Sequence, residues 1–294
     1  MYELQSKNFK LFQLKNMVKI RKPAVAGKFY PSDKDSLTSQ ISTILKKELP
    51  NINLELKNKK IIGGVIPHAG YMFSAYEAVH FFEILKQSKQ IYETIVIINP
   101  NHTGIGHEIA FDSNDIWETP LGQVELDTQF GKNMGIPVSE AEQMHEHSGE
   151  VMVPLLQLFL DYPFKIVPIT LSNQNLKNAK LLATKIAKTM NDLNRKILMI
   201  ASSDFSHFLS PEKGKKQDSY VIEQILAQNT SAIEQVVREK DISVCGYGPI
   251  MTLIEYAKLV TEKPQIDILR IGHSGEIIPS SEVVDYVSFL FSKE

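Results

Sequence analysis

The chain has 294 residues and a formal net charge of −2, with 43% hydrophobic and 22% charged residues. Those proportions exclude a disordered chain, a collagenous chain and a coiled-coil rod. No run approaches the roughly 18 uninterrupted apolar residues of a membrane helix, and the length allows a core that needs no disulfide or metal staple.

Charge is unevenly spread. Residues 1–60 carry 13 Lys and Arg against 5 Asp and Glu, and the remainder carries 19 against 29. The basic segment reads as a solvated surface around one helix rather than a nucleic-acid contact. The single cysteine, Cys245, excludes an internal disulfide and fits a reducing compartment. Lys7, Lys10, Lys15 and Lys19 interrupt every apolar run near the amino terminus, so no signal-peptide core is expected and the chain is expected to be cytoplasmic. Residues 1–16 read as a loose extension, and residues 17–294 as one domain that begins at Met17.

The elements alternate between helix and strand periodicity. Leu37, Ile41, Ile44 and Leu45 form a helical stripe within residues 35–48. A strand is expected from Ile61 to Pro67, then a helix from Ser74, where Ser74 and Glu77 have capping-box spacing. Thr94 to Asn99 reads as a buried strand, and residues 107–125 as short strands and turns around Trp117 and Gly122. A helix from Ser148 to Leu160 contains Pro154 as an internal flaw. Residues 164–170 read as a strand that Pro168 confines to an edge or bulge. A helix over 175–193 leads to a buried strand at 196–202, then helices near 212–228, 231–239 and 248–260. Strands at 266–272 and 283–291 end the chain as an antiparallel pair. The expected fold is a single α/β domain with a central mixed, largely parallel sheet flanked by helices.

Three strands run directly into polar motifs. Ile61–Pro67 ends in His68-Ala69-Gly70-Tyr71, Thr94–Asn99 in Pro100-Asn101-His102, and Lys196–Ala201 in Ser202-Ser203-Asp204-Phe205-Ser206-His207. Ligands of open α/β sheets sit beyond the carboxyl ends of the strands. If the three strands are parallel neighbours, His68, His102, Asp204 and His207 converge there. Two His closed by one anionic ligand suit a transition metal with open positions, and the third ligand is Asp204, Glu150 or Cys245. Cys245 lies before a Gly-rich turn and a helix start, where a thiolate is favoured. Asp204 and His207 have the spacing to orient a substrate or relay a proton. His147 and Glu150, near a helix start, are candidates to fix the tautomer of a metal-bound His. No phosphate loop and no GxSxG elbow occurs.

Six segments together carry a resemblance: Ala26-Gly27-Lys28-Phe29-Tyr30-Pro31, Pro67-His68-Ala69-Gly70-Tyr71, Asn99-Pro100-Asn101-His102, Glu146-His147-Ser148-x-Glu150, Ser202 to His207, and Cys245-Gly246-Tyr247-Gly248-Pro249. In this order they resemble the Memo family, whose microbial members are also called AmmeMemoRadiSam system protein B. The resemblance runs from about Arg21 to the carboxyl end. It implies a fold like that of the class III extradiol ring-cleaving dioxygenases, which hold non-haem Fe(II) with two His and a Glu. It places His68 and His102 at the two His ligands and Cys245 at the dioxygenase carboxylate. It places Asp204 and His207 among the pocket's polar residues, with His207 near the dioxygenase acid/base, and Phe29 as an aromatic of the pocket lining. Tyr71, His147 and Glu150 complete the pocket wall or support the ligands from behind. Cys245 is the departure from the dioxygenases: a thiolate favours Cu or a redox role over two-His-one-carboxylate iron chemistry.

The readings in competition are a Fe(II) or Cu enzyme with dioxygenase-like redox chemistry, a binding protein that captures a peptide or metabolite in the same pocket, and a Zn²⁺ hydrolase. The family name implies a radical-SAM protein and a third member of that system as partners. Neither nucleic acid nor a membrane is an expected partner.

Overall fold

The computed structural model describes residues 18–293. The extension expected at residues 1–16, and the ends of the proposed domain at Met17 and Glu294, lie outside the described residues. In chain order, β1 (Ile20–Arg21) precedes α1 (Lys34–Glu48), β2 (Lys60–Ile66), α2 (Tyr71–Ser88) and β3 (Thr94–Pro100). Short strands β4 (Ile109–Phe111), β5 (Ile116–Thr119) and β6 (Gly122–Glu125) follow. Then come α3 (Thr128–Asn133), α4 (Met152–Phe159), β7 (Lys165–Leu171), α5 (Leu176–Asp192) and β8 (Ile197–Ser202). The chain continues through β9 (His207–Leu209), α6 (Pro211–Leu226), α7 (Thr230–Glu239), α8 (Tyr247–Val260), β10 (Gln265–His273) and β11 (Val283–Lys293).

Eight strands form one mixed sheet in the order β10-β11-β2-β8-β3-β7-β4, with β9 pairing the far end of β11. Its centre, β2-β8-β3-β7, is parallel. The flanking β11 and β4 run antiparallel to it. Every residue of β3 and β8 is buried, as continuous apolar runs covered on both faces should be. Gly63 and Gly64 show how β2 takes a helix on each side. A Cβ on Gly63 would lie 3.1 Å from Leu253 of α8, and one on Gly64 would lie 2.4 Å from Phe81 of α2. Successive strand residues point to opposite faces, so α2 and α8 cover opposite faces. A second, three-stranded sheet joins β1, β5 and β6.

Three local expectations change. The helix expected from Ser74 begins at Tyr71 with Gly70 as N-cap. Ser74 Oγ instead donates back to the Ala69 carbonyl at 2.8 Å, so the capping box is not the start signal. Pro154 is the third residue of α4 rather than a flaw inside it; the chain from Ser148 to Val151 is a turn. In a first turn the missing N–H costs no intrahelical bond. Pro168 lies inside the sheet, paired with Ile97, but one residue past the last pair with the short β4. There its carbonyl accepts from Asp112 N–H, and the absent donor meets no strand partner.

Candidate metal centre

The strands β2, β8 and β3 are adjacent and parallel, so their carboxyl ends place His68, Ser202–Asp204 and His102 side by side. The fourth contributor is the turn before α8. Gly246 fits there because a Cβ would lie 2.2 Å from the Ser202 carbonyl oxygen and 2.5 Å from Ser203 Cβ. Its N–H is anchored on Ser203 Oγ at 2.9 Å. This close approach delivers Cys245 to the histidines. The ligand atoms of His68, His102 and Cys245 all lie within 4.8 Å of one another.

Each imidazole is oriented by its other nitrogen. Ser202 Oγ donates its hydrogen to the Ser148 carbonyl at 2.7 Å. Toward His68 it therefore accepts, from Nδ1–H at 2.7 Å. That leaves a lone pair on His68 Nε2, which lies 3.2 Å from Cys245 Sγ. His102 Nδ1 lies 2.9 Å from Glu146 Oε1, and its backbone N–H donates to Glu146 Oε2 at 2.6 Å. A carboxylate only accepts, so His102 carries a hydrogen on Nδ1 and its Nε2 is the atom left for a metal. Fixing the tautomer through the outer nitrogen is how metal-binding histidines are held.

The electrostatics follow from burial. Burial, with the neighbouring histidines, pushes His68 well below its ordinary value, so it is neutral and fit to ligate. Burial would raise Glu146, but its bonds from His102 and Ser148 outweigh that and hold its carboxyl at about 2. Burial pushes the Cys245 thiol up, and the charge of Asp204 adds to this. The helix-start argument for a lowered thiol is thus overridden, and without a cation beside it Cys245 is a protonated thiol. A metal ion would reverse this, since ligation removes the proton. Burial also raises Asp204 to about 6.

Asp204 Oδ1 accepts from His68 N–H at 2.7 Å, and its Oδ2 lies 3.9 Å from His68 Nε2. The residue orienting His207 is Ser243, not Asp204: the His207 Nδ1 lies 2.9 Å from the Ser243 carbonyl and its N–H donates to Ser243 Oγ. His147 packs against both proposed ligand rings, 4.7 Å from His102 and 5.4 Å from His68 between centroids, and against Phe29 at 4.7 Å. Tyr71 is buried with its hydroxyl on the Val151 carbonyl. Glu150 is turned away from the histidines, accepting from Arg21, Ala24, Val25 and Tyr30. It anchors the amino-terminal segment to the turn that carries Glu146. The orienting residues that sequence reasoning missed are therefore Ser202 and Glu146. His102, Glu146 and His147 also cluster closely enough for an ion, but there the Glu146 oxygens are occupied by hydrogen bonds from His102, His147 and Ser148.

A family model described as Memo-like protein matches residues 21–290. The chain belongs to the Memo family. A MEMO1 family protein of Methanococcoides burtonii is 36% identical over 274 residues, covering 92% of this chain and 99% of its own length. Another, from Sulfurisphaera tokodaii, is 37% identical over 284 residues with the same coverage of both. Among solved structures, an uncharacterized protein of Escherichia coli K12, JW3007, shares the fold with a TM-score of 0.53 at 14% identity, over 78% of this chain and 99% of that one. The Memo-family match begins at Arg21, whose guanidinium donates to Glu150 and to the carbonyls of Gln143 and Glu146. No helix among the described residues is long and apolar enough to cross a membrane.

Proposed function

We propose that this Memo-family chain is a mononuclear metalloprotein with dioxygenase-like redox chemistry on a small oxidisable substrate. His68, His102 and Cys245 would hold Fe(II) or Cu, with Zn²⁺ as the redox-inert alternative. The observation that carries the reading is the grouping of those three ligand atoms within 4.8 Å, with both imidazoles locked by Ser202 and Glu146. The donor set fits: two imidazoles and one thiol suit a soft or borderline cation better than a hard one. When bound, such a metal supplies a Lewis-acidic centre with positions left open for a ligand.

The chain's own groups supply the rest. Asp204, pushed to about 6 by burial, holds or releases a proton near neutrality. His207, held on the Ser243 carbonyl through Nδ1, is the group to exchange a proton through Nε2. Phe29 and His147 give the pocket an aromatic wall. The single cysteine supports a reducing, cytoplasmic setting, and family resemblance supports a radical-SAM protein as partner.

The test is anaerobic purification and elemental analysis of wild type beside Cys245→Ser and His68→Ala. About one equivalent of Fe or Cu in wild type, lost in both variants, is the expected result. No metal in any of the three after reconstitution would overturn it, and would leave the pocket as a site that captures a peptide or metabolite.

A further inference from the structure

The opposite end of the sheet carries a cavity of about 710 Å³, within the size range of small-molecule sites. It opens where β2 and β8 begin and β11 ends, and among the described residues its lining includes Lys60, Lys196, Lys293 and Arg195 but no Asp or Glu. Ile61, Ile197 and Tyr256 are its buried apolar surfaces, while Ile91 and Leu259 are 61% and 55% exposed at its rim. The tyrosine hydroxyls are already bonded within the lining: Tyr92 donates to the Ile61 carbonyl and Tyr256 to Met190 Sδ.

Two observations set this cavity apart from an ordinary charged surface. The first is a neighbouring cleft of about 630 Å³, which shares Arg195 but neutralises its cations. There Lys165 pairs with Glu125 at 2.7 Å and Arg195 with Asp127 at 3.4 Å. Among the described residues, the ammonium groups of Lys60, Lys196 and Lys293 have no ion pair. The carboxylate nearest in sequence to Lys196, Asp192, pairs with Lys188, and Glu93 accepts from the Lys196 backbone. The second is register. Lys60 and Lys293 are direct cross-strand partners on antiparallel β2 and β11. Like charges placed directly opposite repel, and both side chains lie on one face of the sheet. Residues near the carboxyl ends of α5 and α8 also line the cavity. Each helix end contributes roughly half a negative charge, which among the described residues leaves the three lysines in excess.

We propose that this cavity binds an amphiphilic anion: a carboxylate or phosphate head between Lys60, Lys293 and Lys196, with an apolar body against Ile91, Tyr92 and Leu259. The head relieves the Lys60–Lys293 repulsion, and the body covers apolar surface that is otherwise exposed to water. The site is independent of the metal centre, which lies at the other ends of the same strands.

The experiment is isothermal calorimetry on the full chain with octyl phosphate and, in parallel, octanoate. Inorganic phosphate and octanol serve as head-only and body-only probes. Saturable binding of one or both amphiphiles is expected, at least about tenfold tighter than either half-probe and falling with added salt. Lys60→Gln with Lys293→Gln should weaken it at least about tenfold, and Leu259→Asp should weaken it as well. In the unliganded protein Lys293→Gln should leave the thermal midpoint unchanged or raise it, because it removes a repulsion. No saturable binding of either amphiphile at about 1 mM, binding indifferent to the lysine changes, or a lowered midpoint in unliganded Lys293→Gln would overturn the assignment.

Discussion

Ser202 holds His68 in one tautomer: its hydroxyl gives its hydrogen to the Ser148 carbonyl and accepts from His68 Nδ1, both at 2.7 Å. The imidazole is thereby aimed with its Nε2 lone pair at Cys245. Position in the fold supplies this for free, since Ser202 ends β8 beside β2 and pairs with Ile66 two residues before His68.

Ser202→Ala should leave the sheet intact and loosen the ligand. Loss of an outer-shell partner lowers metal affinity by about 10–100-fold. The unmatched Ser148 carbonyl adds a stability cost of about 1–3 kcal/mol. Chelator competition beside urea melts separates the two effects. Unchanged affinity would mean that the His68–Ser202 bond does not govern ligation.

Glu146 makes a pH prediction with a definite sign. Its carboxyl is held at about 2 against an ordinary 4.5, so the folded state favours the ionised form. The associated stability is fully present above about 4.5 and is lost as pH falls toward 2. Glu146→Gln should flatten the thermal midpoint across that acid window and weaken metal binding at neutral pH. A variant whose acid profile matches wild type would contradict the role.

How much of this site could be read from sequence depends on how local each signal is. The proposed ligands were legible because His68 and His102 each follow an apolar run long enough to be a buried strand, and strand ends converge in an α/β sheet. The orienting groups were not, because their bonds span 134 residues for Ser202 and 44 for Glu146 and leave no periodic trace. Glu146 had one available signal, its place beside His147 in a motif that repeats His and Glu. Glu150 looked equivalent there, yet it turns to a buried ion pair with Arg21 that only the folded path of the amino-terminal segment reveals. The fold class came through because periodicity is local. Ser74 failed as a helix start because Gly70 supplied an earlier one.

Asp285 gives the opposite pH dependence. Burial first, then the neighbouring Asp218, raises its carboxyl to about 8. A carboxyl raised in the folded state contributes stability at low pH that is lost as pH rises from the ordinary value of 3.8 through about 8. Asp218 in turn accepts from Ser206 N–H and Oγ–H, the residue before His207. Asp285→Asn should therefore raise the thermal midpoint at pH 9 relative to wild type and remove the decline between pH 5 and 9 (both round figures, each about one unit above an end of the titration window). A wild-type midpoint flat across that range would exclude a protonated Asp285.

Gly246→Ala tests whether the approach of the α8 turn to β8 delivers Cys245. The added Cβ would sit 2.2 Å from the Ser202 carbonyl oxygen and 2.8 Å from Ser203 Oγ. Neither is the far end of a flexible chain: one is backbone and the other anchors the Gly246 N–H. The turn must retreat, and overpacking of this kind costs about 1–3 kcal/mol. Because Cys245 is the preceding residue, retreat draws Sγ away from His68 Nε2. A soft metal such as Cu(I) should then lose more affinity than Zn²⁺, since the thiolate is the soft member of the set. Cys245→Ser provides the control: it keeps the turn and removes the thiolate. The two variants should share the loss of Cu(I), while only Gly246→Ala lowers the melting temperature of the metal-free protein. If Gly246→Ala bound Cu(I) as tightly as wild type, Cys245 would not depend on this contact for its position.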